Sequence, residues 1–126
     1  MQEILLNLHY YEWEWIKRRQ KNVVISKDKP QIVKMPFRVI VSVAGDVVGK
    51  FDCIKIRETI YPISLIEGSC MTKKGLTDCA AGGSLCAWYI KAGSIVEYET
   101  PFPLEMATGL STPPLHWCYL NKDEKT

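Results

Sequence analysis

The stretch PFRVIVSVAGDVVGKFDCIKIRETI (residues 36–60) constrains this chain more than any other. Two runs rich in β-branched and aromatic residues flank Ala44-Gly45-Asp46, a tripeptide able to supply the positive φ angles of a tight hairpin turn. Alternation along KFDCIKIRETI sends Phe51 and Cys53 to one side. Across a one-residue slip, it also turns Ile54 and Ile56 towards apolar surroundings. Gly49, inside the second run, reads as a bulge or bend of the kind a small barrel needs.

The rest of the chain falls into place around this hairpin. Residues 3–8 (EILLNL) read as a first strand. Residues 10–20 (YYEWEWIKRRQ) read as a helix of about three turns, with Trp13, Ile16 and Gln20 on one face. Its acidic residues come early and its basic residues late, as a helix dipole favours. Trp13 and Trp15 lie about 200° apart around such a helix, so one of the two is left outside the core. Strand character returns at 22–26 and at 84–99, with a short helix near 74–81 between them. PFPLEM (101–106) reads as a turn or a single helical turn. Pro113-Pro114 forces an extended entry into a last strand, LHWCYL. The tail NKDEKT (121–126) is polar and expected to fray. About six short strands and two helices suggest a small curled sheet or barrel.

Bulk properties narrow the function. With 126 residues, 47% of them hydrophobic, the chain has the size and content for one self-sufficient core. The expected division is a single domain over 1–120 and the tail 121–126. A formal charge of +2 is too small for a duplex binder, whose affinity comes from neutralising many phosphates. A small ligand or a few nucleotides fit better. The N-terminus lacks the basic start of a signal peptide, and no apolar run approaches the roughly 20 residues that span a bilayer. A cytoplasmic setting is expected, without membrane association. The five cysteines (53, 70, 79, 86, 118) form no CxxC pair, and His9 and His116 stand apart from any paired thiols. Reduced thiols are therefore expected and a zinc site is not; the sequence implies no metal and no cofactor.

The order of motifs resembles the ASCH family. An early strand, a Trp-bearing helix, a Lys-bearing second strand, the GDVVGKFDCIKI arm, AWYI and a closing PPLHWCYL follow one another. The resemblance spans nearly the whole chain and is to the form of that family common in phage and prophage proteins. It implies a mainly β fold, a small PUA-like β-barrel with one N-terminal helix and a second short helix. It also implies a cleft beside the barrel for RNA, a nucleotide or a modified nucleobase. Some members hydrolyse an acylated cytosine nucleoside, and nuclease activity is attributed to others. The family signature Gly-x-Lys-x-x-Glu-x-Arg aligns through Lys21. Its glycine then falls at Arg19, its glutamate at Val24 and its arginine at Ser26. Valine cannot exchange a proton, and a serine hydroxyl does not replace the guanidinium fork. The expected function is therefore non-catalytic binding of a nucleotide, modified base or short RNA by a phage-type accessory or regulatory protein. Two alternatives stand beside it: an amidohydrolase or ribonuclease with a relocated site, and an interaction module against a host protein such as a defence factor.

Lys21 is either a ligand-binding cation or a charge offsetting the helix dipole. Arg19 and Ser26 complete the binding candidates on this segment. Arg18, Lys27 and Lys29 form either a basic rim or a solvated face. Trp88 and Trp117 offer planes on which a base could stack; equally, both fill a small core. Glu67 is the candidate general base for the enzyme reading, against an ordinary loop position. Arg57 and Glu58 read as an edge pair, and His116 as a group able to titrate near neutrality.

Overall fold

The computed structural model describes residues 2–31 and 34–120. Along the chain run β1 (Glu3–Asn7), α1 (Tyr10–Lys17), β2 (Val23–Ser26), β3 (Phe37–Val43) and β4 (Asp46–Thr59). A 3-10 turn (Pro62–Leu65), α2 (Lys73–Ala80), β5 (Leu85–Ile90), β6 (Val96–Pro103), α3 (Leu104–Thr108) and β7 (Trp117–Tyr119) follow. The tail 121–126 lies outside the described residues.

The hairpin forms as its sequence indicates. Ala44 and Gly45 take φ of 52° and 87° and join β3 to β4 in a two-residue turn. Register shifts between Val41 and Ser42, and between Val47 and Gly49, place the expected bulge at Val48. Gly49 also admits a close neighbour: a Cβ there would meet the Val96 carbonyl and lie 2.6 Å from the Trp13 ring. β4 pairs with β3, β5 and β6, and the full order is β2-β5-β4-β3-β1-β7 with β6 branching from β4. The result is a mainly β, curled half-barrel sheet with three helices.

One face of this sheet holds the main core. Phe37, Phe51 and Trp88 are fully buried there, with Ile4, Val39 and Val41 around them. Each such side chain stabilises the fold by roughly 1.5–3 kcal/mol. α1 closes this core with Trp13 and Ile16, while Trp15 stays half-buried. On the other face, α2 and the 3-10 turn cover Val23, Leu85 and Ala87, and α3 covers Leu5 and Val47.

Four sequence expectations are corrected. α1 has eight residues, about two turns, and Gln20 lies exposed beyond it. Ile54 sits at an irregularity between Cys53 and Lys55, which leaves it 47% exposed. Residues 84–99 are not one strand, because Lys91 to Ser94 turn between β5 and β6. Pro101 and Pro103 belong to β6, which among the described residues pairs with β4 alone, and an edge strand tolerates prolines. All five cysteines are free thiols. Burial pushes the Cys53 and Cys86 thiols up to about 11. Among the described residues no helix is long and apolar enough to cross a membrane.

Candidate functional site around Lys21

Lys21 is placed by the way α1 ends. The Gln20 N–H donates to the Trp15 carbonyl at 2.9 Å, and the Arg19 N–H to the Ile16 carbonyl at 3.0 Å. These are the two bonds of a Schellman cap, which needs a left-handed residue between helix and exit. Arg19 supplies it with φ 63°. Arg19 thus holds a conformation that glycine adopts most readily. The tight exit sends Lys21 inwards, where it is only 3% exposed.

The Lys21 ammonium donates to the Ser69 carbonyl. That carbonyl is held in place because the Ser69 hydroxyl donates to the Ile66 carbonyl and accepts from the Met71 N–H. The same loop is tied to the start of β2, since the Asn22 and Val23 N–H groups both donate to the Gly68 carbonyl. This pairing carries Glu67 to Lys21. Burial pushes the Lys21 pKa below the ordinary lysine value, and the charges of Glu12 and Cys70 partly oppose that shift. An ammonium has three donors. Among the described residues one is used by Ser69, which leaves two for water or a ligand.

Two cavities meet at Lys21. The first, about 490 Å³, is lined by Arg19, Lys21, Asn22, Ile54, Glu67 and Tyr89, among others. The second, about 470 Å³, is lined by Asn7, His9, Glu12, Lys21, Cys79 and His116, among others. Among the described residues no group of histidine, cysteine and acidic side chains could hold a metal ion.

The structure thus brings Arg19, Lys21 and Glu67 together and separates the other candidates from them. Ser26 lies in the interior, where its hydroxyl accepts from Trp88 Nε1 at 2.8 Å and donates to the Asp28 carbonyl at 2.7 Å. Trp88 is fully buried, and its indole is a core plane, not a cleft wall. Trp117 packs edge-on against Trp88 at 5.8 Å and Tyr119 at 5.2 Å, half-buried on the same core. Val24 is a core residue. The basic rim is dispersed: Arg18 pairs with Glu14, and Lys27 donates to the Ala80 carbonyl at the C-terminus of α2. Arg57 and Glu58 do not pair with each other; Arg57 reaches Ser64 and Tyr89, and Glu58 accepts from Ser84. His116 lines the second cavity.

Tyr89, Glu12 and Asn22 are among the cavity residues that the sequence reading missed. Tyr89 is adjacent to Trp88, and strand alternation puts the two on opposite faces. The aromatic signal in CAWYI was real, but it belonged to the neighbour. Glu12 carried no spacing signal, because its nine-residue separation from Lys21 crosses the helix end.

The mainly β, curled half-barrel sheet with three helices matches the ASCH-type, PUA-like fold. Crystal structures of the ASCH protein from Zymomonas mobilis share it. A serine-to-alanine variant of that protein matches with a TM-score of 0.78 at 15% identity, over 95% of this chain and 89% of its own. A tyrosine-to-phenylalanine variant gives 0.78 at 15% identity over 97% and 92%, and the unsubstituted protein 0.77 at 15% over 95% and 88%. No protein-family model and no curated protein sequence matches the chain.

Proposed function

We propose that the protein binds a nucleotide, a modified nucleobase or a short RNA in the first cavity and performs no chemistry on it. One observation carries this reading: a buried, incompletely satisfied ammonium shares that cavity with the Arg19, Asn22, Glu67 and Tyr89 side chains. Lys21 and Asn22 offer donors, Glu67 and Asn22 offer acceptors, and Tyr89 offers a flat apolar wall. A base edge with alternating donors and acceptors complements such a set. The positions where the family signature has its acid and its fork, Val24 and Ser26, are committed to the core. The resemblance to ASCH proteins supports the choice of ligand. It also supports an accessory role of phage type in a cytoplasm that keeps the five thiols reduced.

Calorimetry against a panel of nucleotides, modified cytidines and short RNAs tests the proposal. Binding tighter than millimolar for at least one ligand is expected, and Lys21→Ala weakens it about tenfold or more, the worth of a charged hydrogen bond. Absence of binding across the panel overturns it. A second reading, hydrolysis, has one observation in its favour: Glu12, whose charge acts on Lys21, lines the cavity on the other side. Turnover of N4-acetylcytidine or labelled RNA that disappears in Glu12→Gln and Lys21→Ala would establish hydrolysis in place of simple binding.

A further inference from the structure

The cover over the face of the sheet opposite the main core leaves Lys55 and Arg57 exposed. α2 and the 3-10 turn pack over Val23, Leu85 and Ala87. By register, Lys55 lies opposite Tyr89 and Arg57 opposite Ala87, so both cations share this face and are exposed. The Lys55 ammonium sits 5.2 Å over the Tyr89 ring. Arg57 donates to the Tyr89 hydroxyl at 3.5 Å and to the Ser64 hydroxyl at 3.2 Å. Among the described residues neither cation has a carboxylate partner. Lys17, Arg18, Arg38 and Lys74 all have one. Two unneutralised charges are therefore oriented by one aromatic ring, and that ring also lines the Lys21 cavity.

The spacing suits one kind of partner. Residues two apart on a strand are separated by about 6–7 Å, comparable with successive phosphates of an extended nucleotide strand. Glu67 lines the cavity, where its carboxylate repels phosphate, whereas the cations Lys55 and Arg57 lie outside the cavity lining. That division fits a ligand whose base enters and whose backbone stays outside. We infer that Lys55, Arg57 and Tyr89 form a track for the phosphate backbone of single-stranded RNA, one nucleotide of which occupies the Lys21 cavity. The inference rests on the nucleotide-binding reading and makes a polymer, not a mononucleotide, the preferred ligand. A duplex is disfavoured because the Tyr89 ring can stack only on an unpaired base.

Titration of a fluorescent hexaribonucleotide and of cytidine monophosphate, each over a salt series, tests the track. For the wild type the hexamer binds at least tenfold tighter than the mononucleotide. Lys55→Gln with Arg57→Gln erases that advantage and lowers the logarithmic salt slope by about 1.4, at roughly 0.7 per phosphate contact on a single strand. The double variant weakens the mononucleotide by less than the hexamer, because the cavity keeps Lys21, Asn22 and Glu67. Arg57→Lys keeps the charge and retains the wild-type slope, which separates electrostatics from any loss of the Ser64 and Tyr89 contacts. Thermal melting of both variants together with the wild type shows that they fold. If the mononucleotide binds but the hexamer gains nothing, or the double variant leaves the hexamer unaffected, the track is wrong and the cavity reading survives. If neither ligand binds, the reading beneath it fails and the track falls with it. Poly-glutamate held through Lys55 and Arg57 as tightly as RNA overturns the proposal in favour of an acidic protein partner.

Discussion

Arg19→Gly separates the structural demand at the end of α1 from the binding demand of the cavity. Arg19 holds φ at 63°, a left-handed conformation that costs an L-residue with a side chain roughly 1–2 kcal/mol. Glycine adopts it freely, but the extra freedom of glycine in the unfolded chain gives back about 0.4–1 kcal/mol. The Arg19 side chain is exposed and forms no ion pair among the described residues, so its removal breaks no strong contact. The two cap bonds at Trp15 and Ile16 use backbone atoms and survive the substitution. The net gain is about 0.5–1 kcal/mol, which raises the unfolding midpoint of a domain this size by about 2–4 °C. Differential scanning calorimetry reads it, with Arg19→Ala as a control that keeps the Cβ and so gains nothing. The same glycine variant binds nucleotide more weakly, because a cation has left the cavity rim. A lowered midpoint for glycine, or an equal rise for alanine, would refute the capping argument.

Two further predictions concern Ser26 and Lys21. Ser26→Ala strands the buried Trp88 indole N–H and costs about 1–3 kcal/mol in urea unfolding while leaving ligand affinity unchanged; lost affinity at full stability would return Ser26 to the binding site. Burial holds the Lys21 pKa below 10.5, so within that window the unfolded chain binds more protons than the folded one and stability rises with pH. The desolvation penalty is complete below the folded pKa and gone above 10.5. Lys21→Met removes this term, so the wild type gains stability relative to the variant as pH rises from 7 towards 10.5. A difference that stays flat across that range in parallel denaturation curves would show that Lys21 is not buried in solution.

Much of the architecture was legible locally. Alternation and a glycine-bearing turn specified the β3–β4 hairpin, and the first strand, α2 and the last strand were found near their observed bounds. The errors cluster where a local signal is ambiguous. Residues with helix-forming character continue past Lys17, and only the left-handed Arg19 stops α1 there. The run from 84 to 99 reads as continuous strand, and the turn at its centre depends on bonds made by Lys91 to Asp52 and Ser94.

By itself the sequence determined the periodicities, the turn and the residue types available to a site, including Lys21, Arg19 and Glu67. Tertiary structure alone decided sidedness. A period of two states that Trp88 and Tyr89 face opposite ways, but not which of them faces inwards. Packing against Phe37 and Trp117 sent Trp88 to the core, and that left Tyr89 for the cavity. The same holds for Lys21. Its charge was visible in the sequence, yet its burial and its bond to Ser69 depend on a loop 48 positions away, brought there by hydrogen bonds to the start of β2. Local propensity acts over a few residues, whereas a site is assembled by contacts between segments far apart in the chain.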